Sequence, residues 1–233
     1  MDQKNSDPII ISVGGSLIVP DQIDLVFLGK LSAFIRKHVT KGRKFFLVSG
    51  GGRVCRRYQA AAEQVNGTVT DEDLDWLGIH ATRLNGHLLR TIFFDIAHPR
   101  IIENYEKKLD NWHESVVIGA GWKPGFSTDY DGVVLAKDYG GHLLINLSNI
   151  DWIYDKDPKK DATAKPIKKL SWKECQRLVG TKWSPGLNTP FDPIAAQLAG
   201  QLELTAIVTN GQDFANLENI IEGRNFTGTV IRG

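Results

Sequence analysis

The sequence predicts an α/β fold with a largely parallel central sheet, on three observations. Apolar, strand-like runs alternate with amphipathic helical stretches along the whole chain. Two of these runs, Ile9-Ile10-Ile11-Ser12-Val13 and Phe45-Phe46-Leu47-Val48-Ser49, end in glycine turns, Gly14-Gly15-Ser16 and Gly50-Gly51-Gly52. In all, five loops rich in glycine, proline or polar and aromatic residues follow apolar runs, as ligand-binding loops do at the carboxyl edge of a parallel sheet.

The elements follow in order. The first strand is 9–13, and a helical stretch covers 21–39. Residues 44–48 form the next strand, and the glycine triplet after it opens an Arg-rich helix over 53–64. The sequence Thr70-Asp71-Glu72-Asp73 supplies a cap and early acids, which start a helix over 73–93. Strand 115–118 leads to a helix over 129–138, in which Ser127 or Thr128 caps and Asp129 steadies the first turn. After strand 142–146, residues 155–169 carry two prolines and six lysines and read as an exposed loop. Helices over 171–179 and 190–199 come next, the second with Asp192 as its cap and Pro193 at an early helical position. Strand 204–208, a helix over 213–222 and a last strand over 228–231 close the chain.

Length and composition narrow the class. The chain has 233 residues, 42% of them apolar, enough for one large α/β domain or two small lobes, and no segment approaches the length of a membrane span. The first seven residues are polar and lack the apolar stretch of a signal peptide. Cys55 and Cys175 match no metal spacing and are expected to stay reduced in a cytoplasm. With 28 basic and 27 acidic residues the net charge is +1, which argues against nucleic-acid and membrane partners.

The glycine triplet carries the chemistry. A strand that ends in glycines and turns into a helix brings bare N–H groups and the positive end of a dipole to one point, which suits a phosphate. Arg53, Arg56 and Arg57 sit on the first turns of the next helix, where cations oppose the dipole unless an anion offsets them. The Gly14-Gly15-Ser16 turn is a second corner of this type, and two corners suit two phosphorylated ligands or one ligand held from both sides. The third loop, Gly121-Trp122-Lys123-Pro124-Gly125-Phe126-Ser127-Thr128-Asp129, combines aromatics for a flat ring with polar groups for phosphate. The fourth runs from Leu147 to Pro158 and includes Ser148, Tyr154 and Asp157. The fifth is Asn188-Thr189-Pro190-Phe191-Asp192-Pro193. Each also has a plain structural explanation as a cap, a turn or an anchor.

In this order the five elements resemble the amino acid kinase superfamily, and within it the archaeal-type uridylate (UMP) kinases. The most specific matches are Gly50-Gly51-Gly52 with Arg56, Asp75-Trp76-Leu77-Gly78 followed by Thr82-Arg83-Leu84-Asn85, residues 124–129, residues 149–158, and Asp192-Pro193 with Ala195-Ala196. The resemblance covers nearly the whole chain. It implies a three-layer αβα sandwich in one domain, 1–233, with an acceptor lobe over about 1–145 and a nucleotide lobe over about 146–233. It also implies transfer of the ATP γ-phosphoryl group to UMP, with Mg²⁺, in a cytoplasmic homo-oligomer of hexameric type that serves pyrimidine nucleotide synthesis.

By the same resemblance, UMP is bound by Gly51, Asp75, Gly78 and the loop Gly121, Trp122, Lys123, Pro124, Gly125, Phe126, Ser127 and Thr128, with Asp75 on the ribose hydroxyls. ATP is bound by Gly14, Gly15, Ser16, Gly52, Arg56, Ser148, Tyr154 and Asp157. Asp129, Asp192 and Arg56 are the implied catalytic groups, with Mg²⁺ organised by Asp129 or Asp192. Two positions depart from the pattern: Ser12 stands where many relatives carry Lys, and Trp152 where relatives usually carry Gly. Other readings on the same fold are a kinase of another small acid or phosphate and a non-catalytic nucleotide-binding or storage protein.

Overall fold

Residues 7–158, 160–180 and 189–233 are described by the computed structural model. Strands β1 (Ile9–Val13), β2 (Phe45–Ser49) and β3 (Val116–Gly119) are buried along their whole length, as continuous apolar runs demand when both sheet faces are covered. With β4 (Leu143–Ser148) and β8 (Thr205–Asn210) they form a parallel sheet, which β9 (Thr229–Ile231) and β7 (Lys169–Leu170) extend to the order β3-β2-β1-β4-β8-β9-β7. Strand β9 runs antiparallel to β8 and parallel to β7. The predicted α/β class with a largely parallel sheet is what the chain adopts.

The period-2 alternation of strand side chains sorts the core into two layers. Ile9, Ile11, Val13, Phe45, Leu47, Val116, Ile118, Ile145 and Leu147 pack with α1 (Gly15–Ile18), α2 (Leu25–Val39), α4 (Asp71–Ile92) and α8 (Phe214–Ile221). Ile10, Phe46, Val48, Val117, Leu144, Ala206 and Val208 pack with α5 (Thr128–Tyr139), α6 (Trp172–Val179) and α7 (Pro193–Gln201). This is the three-layer sandwich. Helix α3 (Gly52–Asn66) rests on α4 and α1, has no buried residue, and touches the first layer through half-buried Val54.

Caps explain most helix boundaries. Thr70 accepts from the Asp73 N–H, Ser127 from the Tyr130 N–H, and Asp192 from the Ala195 N–H ahead of Pro193. Ser171 and Glu174 form a reciprocal capping box on α6. The helix predicted from residue 21 starts at Leu25, because Asp24 is the residue that caps it. The short α1 and the two-residue strands β5 (Ile153–Tyr154), β6 (Pro166–Ile167) and β7 have no counterpart in the sequence reading. The last two correct the reading of 155–169 as loop throughout, since tertiary pairing with β5 and β9 outweighs local polarity.

One polar contact ties the ends of the fold together. On α2, His38 is buried and its Nε2 lies 3.0 Å from Glu218 Oε2 on α8, while Lys37 Nζ lies 2.9 Å from Glu218 Oε1. Burial alone would raise the Glu218 carboxyl, but its bonds with Lys37 and His38 outweigh that and bring it to about 2. The unfolded chain therefore holds this proton more tightly. The stabilisation is complete above the ordinary value of 4.5 and is lost as pH falls toward about 2. Glu218→Gln is expected to flatten the acid limb of a Tm-against-pH curve across this window. An unaltered limb would show that the contact carries no stability.

Candidate active site

All five parallel strands end at one edge, and the glycine corners meet there backbone to backbone. A Cβ on Gly15 would lie 2.0 Å from Gly52 N and 2.6 Å from Gly50 C, and one on Gly50 would lie 2.5 Å from Gly15 N. Gly52 has φ +68°, a conformation that L side chains rarely adopt, and its added Cβ would meet Gly15 O at 2.4 Å. Glycine is required because two main chains occupy the space of one. Gly51 caps α3 without any side-chain hydrogen bond; the Arg53 N–H reaches the Val19 carbonyl at 3.4 Å, and the other first N–H groups of this 15-residue helix are left for another acceptor.

Of the three arginines beyond the triplet, Arg57 is hydrogen-bonded to Asp21, and Arg53 lies 3.9 Å from the same carboxylate. Arg56 is exposed and has no carboxylate partner among the described residues. It is the cation that remains available at the corner.

The loop after β3 is held by α4. Thr82 Oγ1 accepts from the Gly121 N–H at 2.8 Å, and Arg83 donates to the carbonyls of Gly121 at 3.2 Å and Trp122 at 3.0 Å. Asp75 Oδ2 accepts from the Gly125 N–H at 2.7 Å, which leaves Asp75 with a second oxygen at the loop. The loop aromatics stack on one another: Trp122 on Phe126 with ring centroids 5.4 Å apart, and Phe126 on Tyr130 at 4.5 Å. Lys123 Nζ sits 4.0 Å above the Trp122 ring. Gly78 faces Cys55 and Gln59 of α3, and a Cβ there would meet them at ordinary contact distances of 3.4 and 3.7 Å, so packing by itself does not demand that glycine.

Beneath the corners lies a group of carboxyls, Asp131 and Asp192 buried and Asp129 half-buried. Ser12 and Asn146 are paired neighbours in β1 and β4, both on the α5 face. Ser12 Oγ and Asn146 Nδ2 donate to Asp129 Oδ1 at 3.3 and 3.0 Å, and the Asp192 N–H donates to Asp129 Oδ2 at 3.3 Å. Burial, and then the charge of Asp192, raise the Asp129 carboxyl to about 7. Burial also raises Asp192, against the pull of the Ala195 N–H. Asp192 Oδ2 is buried and makes no well-formed hydrogen bond among the described residues. A buried and a half-buried carboxylate, one with an oxygen that makes no well-formed hydrogen bond, are a donor set that suits a hard divalent cation.

Asp131, one helical step further in, is wholly buried and has neither oxygen well bonded among the described residues. Burial, with Asp129 and Asp192 adding to it, holds its carboxyl well above the ordinary range.

The remaining sequence-predicted residues occupy the opposite side of the edge. Gly14 donates its N–H to the Leu147 carbonyl, and Ser16 lies on α1. Ser148 Oγ accepts from the Ile150 N–H in the turn after β4, Tyr154 lies half-buried in β5, and Asp157 is in an exposed turn near Lys160. One reading is corrected. Among the described residues the element before Asp192 is α6 and not a strand of the sheet; Asp192 directly precedes α7, and α7 packing on α5 brings it to Asp129. Asn188 of that loop lies outside the described residues. The bond of Ser12 to Asp129 and the part of Asn146 were not foreseen, and Thr82 and Asn85 stood out only as part of the family match, without a role at the site. The available signal was a single polar residue inside an otherwise apolar strand, at Ser12 and at Asn146.

This fold and edge define a class, and residues 7–210 match the model of the amino acid kinase family. The chain belongs to that family. It is 31% identical over 227 residues to the uridylate kinase of Pyrococcus abyssi, covering 95% of this chain and 98% of the relative. It is 35% identical over 206 residues to that of Pyrobaculum calidifontis, covering 88% and 92%. The crystal structure of uridylate kinase from Archaeoglobus fulgidus superposes with a TM-score of 0.79 at 27% identity over 96% of this chain and 99% of that one. No described helix is long and apolar enough to cross a membrane.

Proposed function

We propose that the protein is a UMP kinase that transfers the γ-phosphoryl group of ATP to UMP, giving UDP and ADP, for pyrimidine nucleotide synthesis in the cytoplasm. The observation that carries this reading is the meeting of the Gly14-Gly15 and Gly50-Gly51-Gly52 corners above Asp129 and Asp192. That arrangement, in a chain similar to uridylate kinases over most of its length, provides for two phosphates face to face. The N-terminal lobe, about 1–145, takes the acceptor and lends its glycine corners and Arg56 to the ATP phosphates, and the remainder takes the rest of the nucleotide, although one sheet runs through both.

In this reading Gly51 adjoins the UMP phosphate, Gly52 and Arg56 the phosphates of ATP, and loop 121–128 the uracil and α-phosphate. Gly14, Gly15, Ser16, Ser148, Tyr154 and Asp157 serve ATP. Asp129 and Asp192 would hold Mg²⁺, which supplies charge neutralisation for the transferring group. The acceptor phosphate is already ionised at neutral pH, so neither aspartate need act as a base. Catalysis is in-line positioning plus charge stabilisation. At the Ser12 position the chain has a hydroxyl bonded to Asp129 instead of a cation, so Arg56 would supply that charge, together with Mg²⁺ where it is bound.

Assay of ADP formation with UMP, CMP, dUMP and small acids tests the reading. No stimulation by UMP, with stimulation by another acceptor, rejects it. Tight binding of both nucleotides without UDP formation over hours would favour the non-catalytic reading that Ser12 suggests. Asp75→Asn is expected to weaken UMP binding by about 10-fold, the scale of one charge-assisted hydrogen bond, and ATP binding far less. Equal losses by calorimetry would remove Asp75 from the ribose.

The outer face of α3 and α4 leaves Tyr58, Val65 and Trp76 at 63%, 89% and 39% exposure. These side chains, with no buried residue on α3, fit a face covered by a second copy in a homo-oligomer of hexameric type.

A further inference from the structure

One turn of α4 touches both halves of the proposed acceptor site through hydrogen bonds to main chain. Asn85 is 4% exposed and its Nδ2 donates to Gly50 O at 2.8 Å and Gly51 O at 3.4 Å. The two carbonyls fix which end of the amide points inward, since the oxygen there would face two acceptors. One turn earlier on the same helix, Thr82 is 7% exposed and its Oγ1 accepts from the Gly121 N–H while donating to Ile79 O at 2.6 Å. Arg83 between them holds the Gly121 and Trp122 carbonyls.

The connection is closed by Ser49, at the end of β2, whose Oγ donates to Thr82 O at 2.9 Å and lies 3.3 Å from Gly119 O at the end of β3. Gly86 lets the helix come this close: a Cβ there would meet Ser49 Oγ at 3.1 Å and Ala120 Cβ at 3.3 Å.

The peptide unit is planar, so a carbonyl fixed from one side also fixes the N–H of the following residue. Asn85 therefore sets the direction of the N–H groups at Gly51 and Gly52, and Thr82 with Arg83 sets those of the loop from Gly121. Resting on the UMP kinase reading, we infer that Asn85 and Thr82 are positioning residues for phosphoryl transfer, because α4 holds the glycine corner and the acceptor loop at one separation from adjacent turns. They touch no substrate and act through Gly50, Gly51 and Gly121. A misplacement of about 1 Å between reacting groups is enough to lower turnover about 100-fold without loss of binding.

The test is steady-state kinetics of the full chain with UMP, ATP and Mg²⁺, alongside thermal unfolding. In Asn85→Ala, kcat is expected to fall 10- to 100-fold while both KM values change less than threefold. Should that variant fail to fold, Thr82→Val against Thr82→Ser reads the other arm. The valine keeps the shape and loses the acceptor for the Gly121 N–H, so kcat falls at least 10-fold, and the serine recovers most of that loss. In the double variant Asn85→Ala/Thr82→Val, the losses in kcat are expected to be less than multiplicative, since either one frees the separation. Folded Asn85→Ala and Thr82→Val proteins with a lower Tm and unaltered kcat would overturn the inference and leave the kinase reading intact. A wild-type chain that forms no ADP in response to UMP would overturn the reading and the inference together.

Discussion

Asp192→Asn is expected to lower kcat by about 10²- to 10³-fold, the loss typical when one charge-stabilising group is removed from a transition state. The fold should survive the exchange. Asp192 caps α7 by accepting from the Ala195 N–H at 2.6 Å, and asparagine caps a helix about as well as aspartate. What the variant loses is the charge on Oδ2, the buried oxygen without a well-formed hydrogen bond among the described residues. UMP binding without metal should change little, which separates a catalytic role from a binding one. Unchanged turnover would remove Asp192 from the mechanism. Asp192→Ala, by contrast, adds about 1 kcal/mol of lost cap to the same kinetic defect, so the two variants separate charge from helix stability.

Gly15→Ala is expected to be the most damaging glycine-to-alanine exchange among the described residues. Its Cβ would fall 2.0 Å from Gly52 N and 2.6 Å from both Gly50 C and Gly50 O, and all three are main-chain atoms of the other corner. No flexible side chain can yield, so the corners must separate. The expected cost is at least about 3 kcal/mol, which for a chain of this size is a fall in Tm of about 6–12 °C. Any protein that folds should bind both nucleotides poorly, because the N–H groups of both corners move. Gly29→Ala is the matched control. It lies within α2 with nothing inside 4 Å of the new Cβ, and alanine there should raise stability by about 0.5–1 kcal/mol. Equal melting temperatures for Gly15→Ala and wild type would show that the corners do not touch.

Much of the site was readable because its parts are local. A run such as Phe45-Phe46-Leu47-Val48-Ser49 followed by three glycines specifies strand, corner and helix start within ten residues, and the structure has all three. The caps at Thr70, Ser127 and Asp192 are equally local, since each bonds to an N–H three residues on. The contacts between segments were not readable. Ser12 and Asp129 are 117 positions apart, and Asn85 and Gly50 are 35 apart. Their side chains meet only because β1, β2 and β4 are neighbours in the sheet and α4 crosses the ends of β2 and β3.

The sequence by itself determined the α/β class, the glycine corners, most helix starts and the family to which the chain belongs. Each of these depends on periodicity, backbone freedom or a cap within a few residues. Only the tertiary structure decided that the two corners interlock, that Asp192 reaches Asp129 from the start of α7, that two short strands sit in the lysine-rich stretch, and that one turn of α4 grips both acceptor segments. These are consequences of strand order and of which face each side chain takes, and they depend on residues far apart in the chain being packed into the same few ångströms.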